Sequence, residues 1–137
     1  MIELRRILDL ENQAFFLAEY FPKGISEEWI GSFYRMADVL LLTSKEEGFG
    51  IPVLEAGLSR LLMFCSDIAP LRALADGYAN LFSLKDSPEV VAEKIIEKIT
   101  NDPLYSFRAK VKKEFTWEAI YTHKIAPLIR DVLENYE

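Results

Sequence analysis

Short apolar runs alternate with amphipathic segments along most of this chain, and proline or glycine often separates them. Four runs are mainly apolar and of strand length, a pattern typical of strands that are buried in a sheet. These predicted strands lie at residues 14–18, 39–43, 61–65 and 78–82. The intervening segments carry apolar residues at helical spacing, and Ser26 and Ser87 stand where helix N-caps belong. The predicted helices cover about residues 2–10, 26–36, 52–58, 70–77, 88–100 and 103 onward, and the last one begins near Thr116.

Strands that alternate with helices at short spacing predict an α/β fold. We expect a three-layer Rossmann-like domain with a mostly parallel sheet of about four strands and helices on both faces. A long C-terminal helix should follow, and Pro127 should bend it. The 137 residues fit a single domain.

The composition is that of a globular protein, with 50% hydrophobic and 28% charged residues. A net charge of −6, without a Lys/Arg cluster, argues against a nucleic-acid surface. The one cysteine, Cys65, cannot form an internal disulfide, so we expect a buried structural thiol in a reducing compartment. No apolar stretch approaches the ~20 residues that span a bilayer. We therefore expect a cytoplasmic location.

The loop after the predicted strand at 39–43 is the best candidate for ligand binding, because parallel α/β proteins bind ligands at the carboxyl ends of their strands. Gly48 and Gly50 flank Phe49 directly before a helix that opens with Pro52. Glycine lets the backbone approach a ligand closely. The unpaired N–H groups of a helix N-terminus attract phosphate. The pattern therefore predicts an anion-binding turn.

Two carboxylates stand on either side of this turn in the sequence, Glu47 in the loop and Glu55 one turn into the helix. Each can accept hydrogen bonds from ligand hydroxyls. A nucleoside diphosphate sugar offers both partners, phosphates for the amides and hydroxyls for the carboxylates. Taken singly, the glycines could merely make a tight turn, and Glu55 could merely favour the helix dipole. Their joint placement after a buried strand favours a binding site.

Two other functions stay open at this point. The dinucleotide-binding pattern G-x-G-x-x-G begins at Gly48 and Gly50 but meets Val53 where its third glycine belongs. Asp67, 17 residues after Gly50, would be the ribose-binding acid of that interpretation. The chain could also be a non-catalytic α/β module that depends on a partner. A Walker-type loop is excluded, because no Gly-Lys-Ser/Thr occurs.

The chain resembles the retaining glycosyltransferases called group 1, or family 4, whose hallmark is E-G-F-G-x-P-x-x-E-A. That segment stands complete as Glu47-Gly48-Phe49-Gly50-Ile51-Pro52-Val53-Leu54-Glu55-Ala56. The flanking residues 34–39, 66–67, 76–77 and 115–118 also resemble the family. Two departures stand beside the site: Thr43-Ser44 replaces the usual Pro-Ser, and Ala69-Pro70 replaces a common Gly-Gly.

The resemblance implies an enzyme with two Rossmann domains (the GT-B type), of which residues 1–137 are a single, partial, nucleotide-sugar-binding carboxyl-terminal domain. It implies that Glu47 is the catalytic residue, near hydroxyls of the donor sugar, and that Glu55 binds the nucleotide ribose. The donor-binding backbone would be that of Gly48, Phe49, Gly50 and Ile51. Such enzymes transfer a hexose with retention of configuration.

The resemblance also implies what else takes part. The nucleotide-diphospho-sugar is a substrate, and we expect no cofactor and no bound metal, because amides and basic side chains stabilise the diphosphate leaving group. The acceptor is unknown, and peripheral membrane association of the full enzyme stays open. The family's acceptor domain and the first donor-domain strands have no counterpart here. We therefore expect a fragment that is inactive without an upstream portion, or one that pairs with a second copy. In the family's strand order, a missing strand would separate 14–18 from 39–43.

Overall fold

The computed structural model describes residues 1–135, which form two compact units, Met1–Ala37 and the residues from Asp38 onward. The interpretation of the whole chain as one partial domain stays a prediction. The first unit is helical, and the second contains the sheet. The helices of the first unit are α1 (Ile2–Ile7), α2 (Leu17–Tyr20) and α3 (Glu27–Met36).

The predicted strand at 14–18 is wrong, because Leu17 begins the short helix α2. Local partners satisfy the backbone here: the Ala14 amide donates to the Leu10 carbonyl at 2.8 Å, and the Phe21 amide donates to Leu17 at 2.8 Å. The Ala14 carbonyl accepts a hydrogen bond from the Arg5 guanidinium at 3.2 Å. Backbone groups that are paired in this way are not available to a sheet neighbour.

Arg5 organises this first unit. Its guanidinium makes a two-pronged ion pair with Glu19, at 2.7 and 3.1 Å, and lies 5.1 Å from the centre of the Phe16 ring. The hydrogen bond from Arg5 to Glu19 is the main cause that raises the Arg5 pKa above its usual value. A separate aromatic group stands on α3 and the loop before it, where the Phe21 ring lies 5.8 Å from Trp29. The unit therefore folds around local contacts of an arginine and a few rings.

The second unit contains a parallel sheet, which confirms the predicted α/β class. Among residues 1–135 the sheet has three strands, where about four were expected, in the order β1-β2-β3. They are β1 (Val39–Leu42), β2 (Leu62–Ser66) and β3 (Asn80–Phe82). Val39 pairs with Leu62, and Ser66 pairs with Phe82. Residues 14–18 are not a strand, so they do not pair with β1, and no missing strand between the two is needed.

Helices α4 (Ile51–Leu58) and α5 (Ala69–Ala75) connect these strands. One face of the sheet packs against the later helix α6 (Pro88–Thr100), where Phe64, Phe82 and Val91 form a buried cluster. Alternate residues of a strand point to opposite faces, so Cys65, which is fully buried, lies on the other face. Both faces of β2 are therefore covered, as a Rossmann-like fold requires.

The rest of the chain is helical. Helix α7 (Pro103–Glu114) follows α6, and then come α8 (Trp117–Ile120), a π-helical turn (Tyr121–Ile125) and α9 (Ala126–Glu134). The π-helical turn ends two residues before Pro127, which has no N–H group to donate to a standard helical bond. A membrane crossing would need a longer apolar helix than any that the structure describes in residues 1–135.

Candidate functional site

The loop between β1 and α4 lies at the carboxyl end of the sheet and contains the predicted anion-binding turn. Gly50 is the N-cap of α4 and has φ +84° and ψ 39°, in the left-handed region. This conformation favours glycine, because a β-carbon would collide with the backbone. Helix α4 then begins at Ile51, with Pro52 in its first turn and the Val53 amide donating to the Gly50 carbonyl at 2.9 Å.

Gly50 is also closely packed. A β-carbon at this position would lie 3.1 Å from the Cδ2 atoms of both Leu71 and Leu74 on α5. Leu71 is fully buried. Helix α5 therefore supports the turn from the inside, and the tight packing favours glycine in addition to the backbone angle.

The other side of the turn is open to solvent. Gly48 is exposed, Phe49 is 64% exposed and Ile51 is 59% exposed. Within the described residues no side chain caps α4, and Pro52 has no amide hydrogen, so Ile51 carries the first N–H group of the helix. The turn therefore presents exposed backbone next to the positive end of a helix dipole.

Glu47 lies beside the turn and is half-buried. The Ser44 hydroxyl donates to its Oε2 atom over a long distance of 3.3 Å. The Ser44 carbonyl in turn accepts a short hydrogen bond of 2.5 Å from the hydroxyl of Ser66. Ser66 is the last residue of β2 and is fully buried. The end of β2 is thus linked to the loop that carries Glu47.

Glu55 lies in the second turn of α4, where it is half-buried. This agrees with the predicted position one turn into the helix. The structure therefore places Glu47 in the loop before the turn and Glu55 in the helix after it. The five exposed or half-buried positions 47–49, 51 and 55 and the buried Gly50 make up the predicted site. Their roles stay predictions at this stage.

Asp67 follows β2 directly and lies in the loop before α5. Its Oδ1 atom accepts from Arg72 at 2.8 Å from Nε and 2.7 Å from Nη2. The Asp67 amide donates to the Phe82 carbonyl at 2.7 Å, which ties the loop to the end of β3. The acid that a dinucleotide-binding site would place on the ribose is therefore already in an ion pair with an exposed arginine.

Sequence reasoning missed the linking role of Ser44 and Ser66. The available signal was a polar residue, Ser66, at the end of an otherwise apolar strand. In a parallel sheet that position points towards the ligand-binding edge. The hydrogen bond between the two serines could not be predicted, because they are 22 residues apart in the chain.

Three other residues have side chains that could take part in chemistry or packing. Cys65 is fully buried, as expected, and this burial raises the pKa of its thiol. His123 is exposed within the π-helical turn. Trp117 is the first residue of α8, and its side chain is 83% exposed.

A metal site would need several carboxylate, histidine or cysteine side chains that converge on one point. No group of three such side chains is placed to hold an ion in the part of the chain that the structure describes. The expectation that the donor site works without a metal stays a prediction.

A cavity of about 290 Å³ adjoins the carboxyl ends of β1 and β3 on the face that α6 covers. Its lining is mainly apolar and includes Leu41, Phe82 and Leu84. Neither Glu47 nor Glu55 lines it. This cavity is therefore separate from the two carboxylates of the predicted site.

Comparison with known proteins gives a clear result. A family model described as "Glycosyl transferases group 1" matches residues 6–115. The serotype-specific mannosyltransferase WbdA of Escherichia coli is 29% identical over 133 residues, which are 93% of this chain and 15% of that protein. The uncharacterized glycosyltransferase MJ1178 of Methanocaldococcus jannaschii is 31% identical over 94 residues, 65% of this chain and 27% of that protein. The chain thus spans between a seventh and a third of the length of these relatives.

Proposed function

This chain belongs to the group 1 glycosyl transferases, and from that premise we propose that residues 47–55 bind the nucleotide-diphospho-sugar donor of a retaining, family 4 enzyme. The chain would be the donor-binding part of a GT-B protein. The transferred group would be a hexose, which is compatible with a relative named as a mannosyltransferase. The acceptor would bind to a portion of the full enzyme outside this sequence, or to a second copy.

The glycine turn is the observation that carries this proposal. Gly50 has a left-handed backbone and packs against α5, so the core holds the turn at this residue. Its outer side presents the backbone of Gly48, Phe49 and Ile51 at the N-terminus of α4. A diphosphate fits that surface, because N–H donors and the helix dipole both favour a negative charge.

The two carboxylates would bind the two sugar rings of the donor. Glu55, in the second turn of α4, would accept hydrogen bonds from the ribose hydroxyls. Glu47, in the loop, would accept from hydroxyls of the transferred sugar and hold the reacting carbon in place. The leaving diphosphate would be stabilised by the amides of the turn and by basic side chains, without a bound metal. We do not assign these acids the paired roles that carboxylates have in glycoside hydrolases.

Titration calorimetry of the full chain with UDP and with GDP tests the proposal. We expect one of the two to bind, and Glu55→Ala to weaken that binding about tenfold or more, since hydrogen bonds to a charged group contribute about 1.5–3 kcal/mol. Glu97→Ala removes an exposed glutamate from α6 and serves as the matched control. Circular dichroism checks that each variant is folded.

Three results would decide against the proposal. A folded chain that binds neither nucleotide would contradict the proposal, and so would equal binding by wild type and Glu55→Ala. NADH binding without UDP or GDP binding would instead support the dinucleotide alternative. Sizing by light scattering, with and without nucleotide, tests whether a second copy takes part, as a partner-dependent module would require.

A further inference from the structure

The buried hydroxyl of Ser66 is connected to the candidate catalytic carboxylate through one intermediate residue. We infer that Ser66 and Ser44 are positioning residues, which hold Glu47 at the sugar end of the donor. This inference rests on the proposed function, since it assigns Glu47 to the transferred sugar. It adds the physical link that sets the orientation of that acid.

The first contact joins β2 to the loop. The Ser66 hydroxyl donates to the Ser44 carbonyl at 2.5 Å, the short end of the range for O–H···O hydrogen bonds. Ser66 is 0% exposed, so its hydroxyl has no access to bulk solvent. A buried hydroxyl without a partner is costly, and a conformation of the loop that keeps this bond is therefore favoured.

The second contact joins the loop to the acid. The Ser44 hydroxyl donates to Glu47 Oε2 at 3.3 Å, which is long for this type of bond. Catalytic hydrogen bonds are often long in unliganded sites and shorten when the substrate binds. The bond occupies one carboxylate oxygen and leaves Oε1 for the donor sugar. The orientation of Glu47 is thus set from β2 as well as by its own loop.

The geometry separates the two ends of the donor. Glu47 accepts a hydrogen bond from Ser44, whose carbonyl is bonded to Ser66. Glu55 lies on α4, which begins after Gly50. A change at Ser66 should therefore disturb binding of the transferred sugar and leave binding of the nucleoside diphosphate unaltered. A residue that merely stabilised the fold would disturb both.

The experiment compares two affinities for each variant of the full chain. One is for the nucleoside diphosphate that binds, UDP or GDP, and the other is for the matching sugar nucleotide, UDP-glucose or GDP-mannose. Their ratio measures what the sugar adds. We expect Ser66→Ala to reduce that ratio about threefold to tenfold, the factor that one hydrogen bond contributes. The affinity for the diphosphate alone should stay within about twofold, and Glu47→Gln should remove the sugar contribution.

Ser44 provides an independent arm if Ser66→Ala does not fold. Ser44→Ala removes the hydroxyl that reaches Glu47 and should reduce the ratio, whereas Ser44→Thr keeps a hydroxyl and should restore it. Ser106→Ala is the matched control. It also removes a serine hydroxyl that donates to a backbone carbonyl, that of Thr100 at 3.3 Å, but it lies on α7.

The outcomes distinguish this inference from the proposed function. If neither nucleoside diphosphate binds the wild-type chain, donor binding itself fails. If it binds and the sugar adds nothing in wild type, or if Ser66→Ala and Ser44→Ala leave the ratio unchanged, the positioning role is overturned. An equal loss of both affinities in Ser66→Ala would also overturn it, because Ser66 would then only shape the turn.

Discussion

The Cδ2 atom of Leu71 lies 3.1 Å from the position that a β-carbon on Gly50 would occupy. Two independent demands meet at Gly50, since its φ of +84° already excludes most side chains. The turn that we propose as the anion-binding site therefore packs directly against the core of the second unit. Damage to one should be visible in the other.

Gly50→Ala should destabilise the chain by about 1–3 kcal/mol, the typical cost of a non-glycine residue in strained backbone. The close Leu71 and Leu74 methyl groups add to that cost. Gly57→Ala is the control, because nothing lies within 4 Å of its added carbon and it is in α4. That change should stabilise by about 0.5–1 kcal/mol. Urea unfolding followed by circular dichroism measures both, and equal midpoints would contradict the account.

Helix caps give a second prediction. Asp102 accepts from the amides of Leu104 at 2.8 Å and Tyr105 at 3.0 Å, so it caps α7 with its side chain. Asp102→Ala should lower the free energy of unfolding by about 1 kcal/mol. Ser26 also stands at an N-cap, but within residues 1–135 its side chain makes no capping bond. Ser26→Ala should therefore change stability by less than about 0.5 kcal/mol. A larger loss at Ser26 than at Asp102 would show that the two caps are misassigned.

Two strands of the sheet lie within one residue of where the sequence predicts them. Residues 39–43 are predicted and Val39–Leu42 is observed; residues 61–65 are predicted and Leu62–Ser66 is observed. Each run is apolar, of strand length, and followed by a helix that opens with proline. The observed β2 ends one residue later than predicted and includes Ser66. This difference matters, because the Ser66 hydroxyl bonds the loop that carries Glu47.

The run at 14–18 looks the same in a window of five residues, yet it is not a strand. Two of its residues, Leu17 and Ala18, lie in the short helix α2. The Ala14 carbonyl accepts a hydrogen bond from Arg5, nine residues earlier in the chain. Periodicity over so short a run cannot separate these outcomes. The deciding contact is made by a side chain outside the run.

The sequence predicts the backbone turn of the site, but it does not predict the hydrogen bonds between the side chains and the loop. The glycine spacing before Pro52 indicates a turn at a helix N-terminus, and the structure has Gly50 as the N-cap. The Ser66–Ser44 bond depends on the register of β1 against β2, which pairs Leu42 with Cys65. Register is a tertiary property, so the sequence pattern of either strand alone does not contain it.

Asp86 gives a prediction about pH. The hydrogen bond from Lys94 at 2.8 Å is the main cause that lowers the pKa of Asp86 below 3.8, and burial opposes it. A lowered pKa in the folded state means that the pair stabilises the fold above about pH 3.8 and loses this effect as the pH falls through the folded pKa. Lys94→Met should raise the Asp86 pKa towards its usual value, as followed by NMR titration. Lys98→Met removes a charge one turn along α6 and should shift the pKa less. Equal shifts in the two variants would mean that the summed charge of α6, and not the hydrogen bond from Lys94, sets the pKa of Asp86.

Cys65 gives a prediction about reactivity. Its thiol is fully buried in β2, and burial raises its pKa above 9.0, so the reactive thiolate is scarce at neutral pH. Reaction with a thiol reagent requires local opening of the sheet. An opening free energy of about 3 kcal/mol makes labelling at least about 100-fold slower than for an exposed thiol. Ser83→Cys supplies that exposed thiol in the same chain, so in this variant one thiol should react fast and the other slowly.

Denaturant should make both thiols of the variant react fast. Two fast equivalents in the folded chain would mean that β2 is accessible, and the burial of Ser66 beside it would then be in question as well.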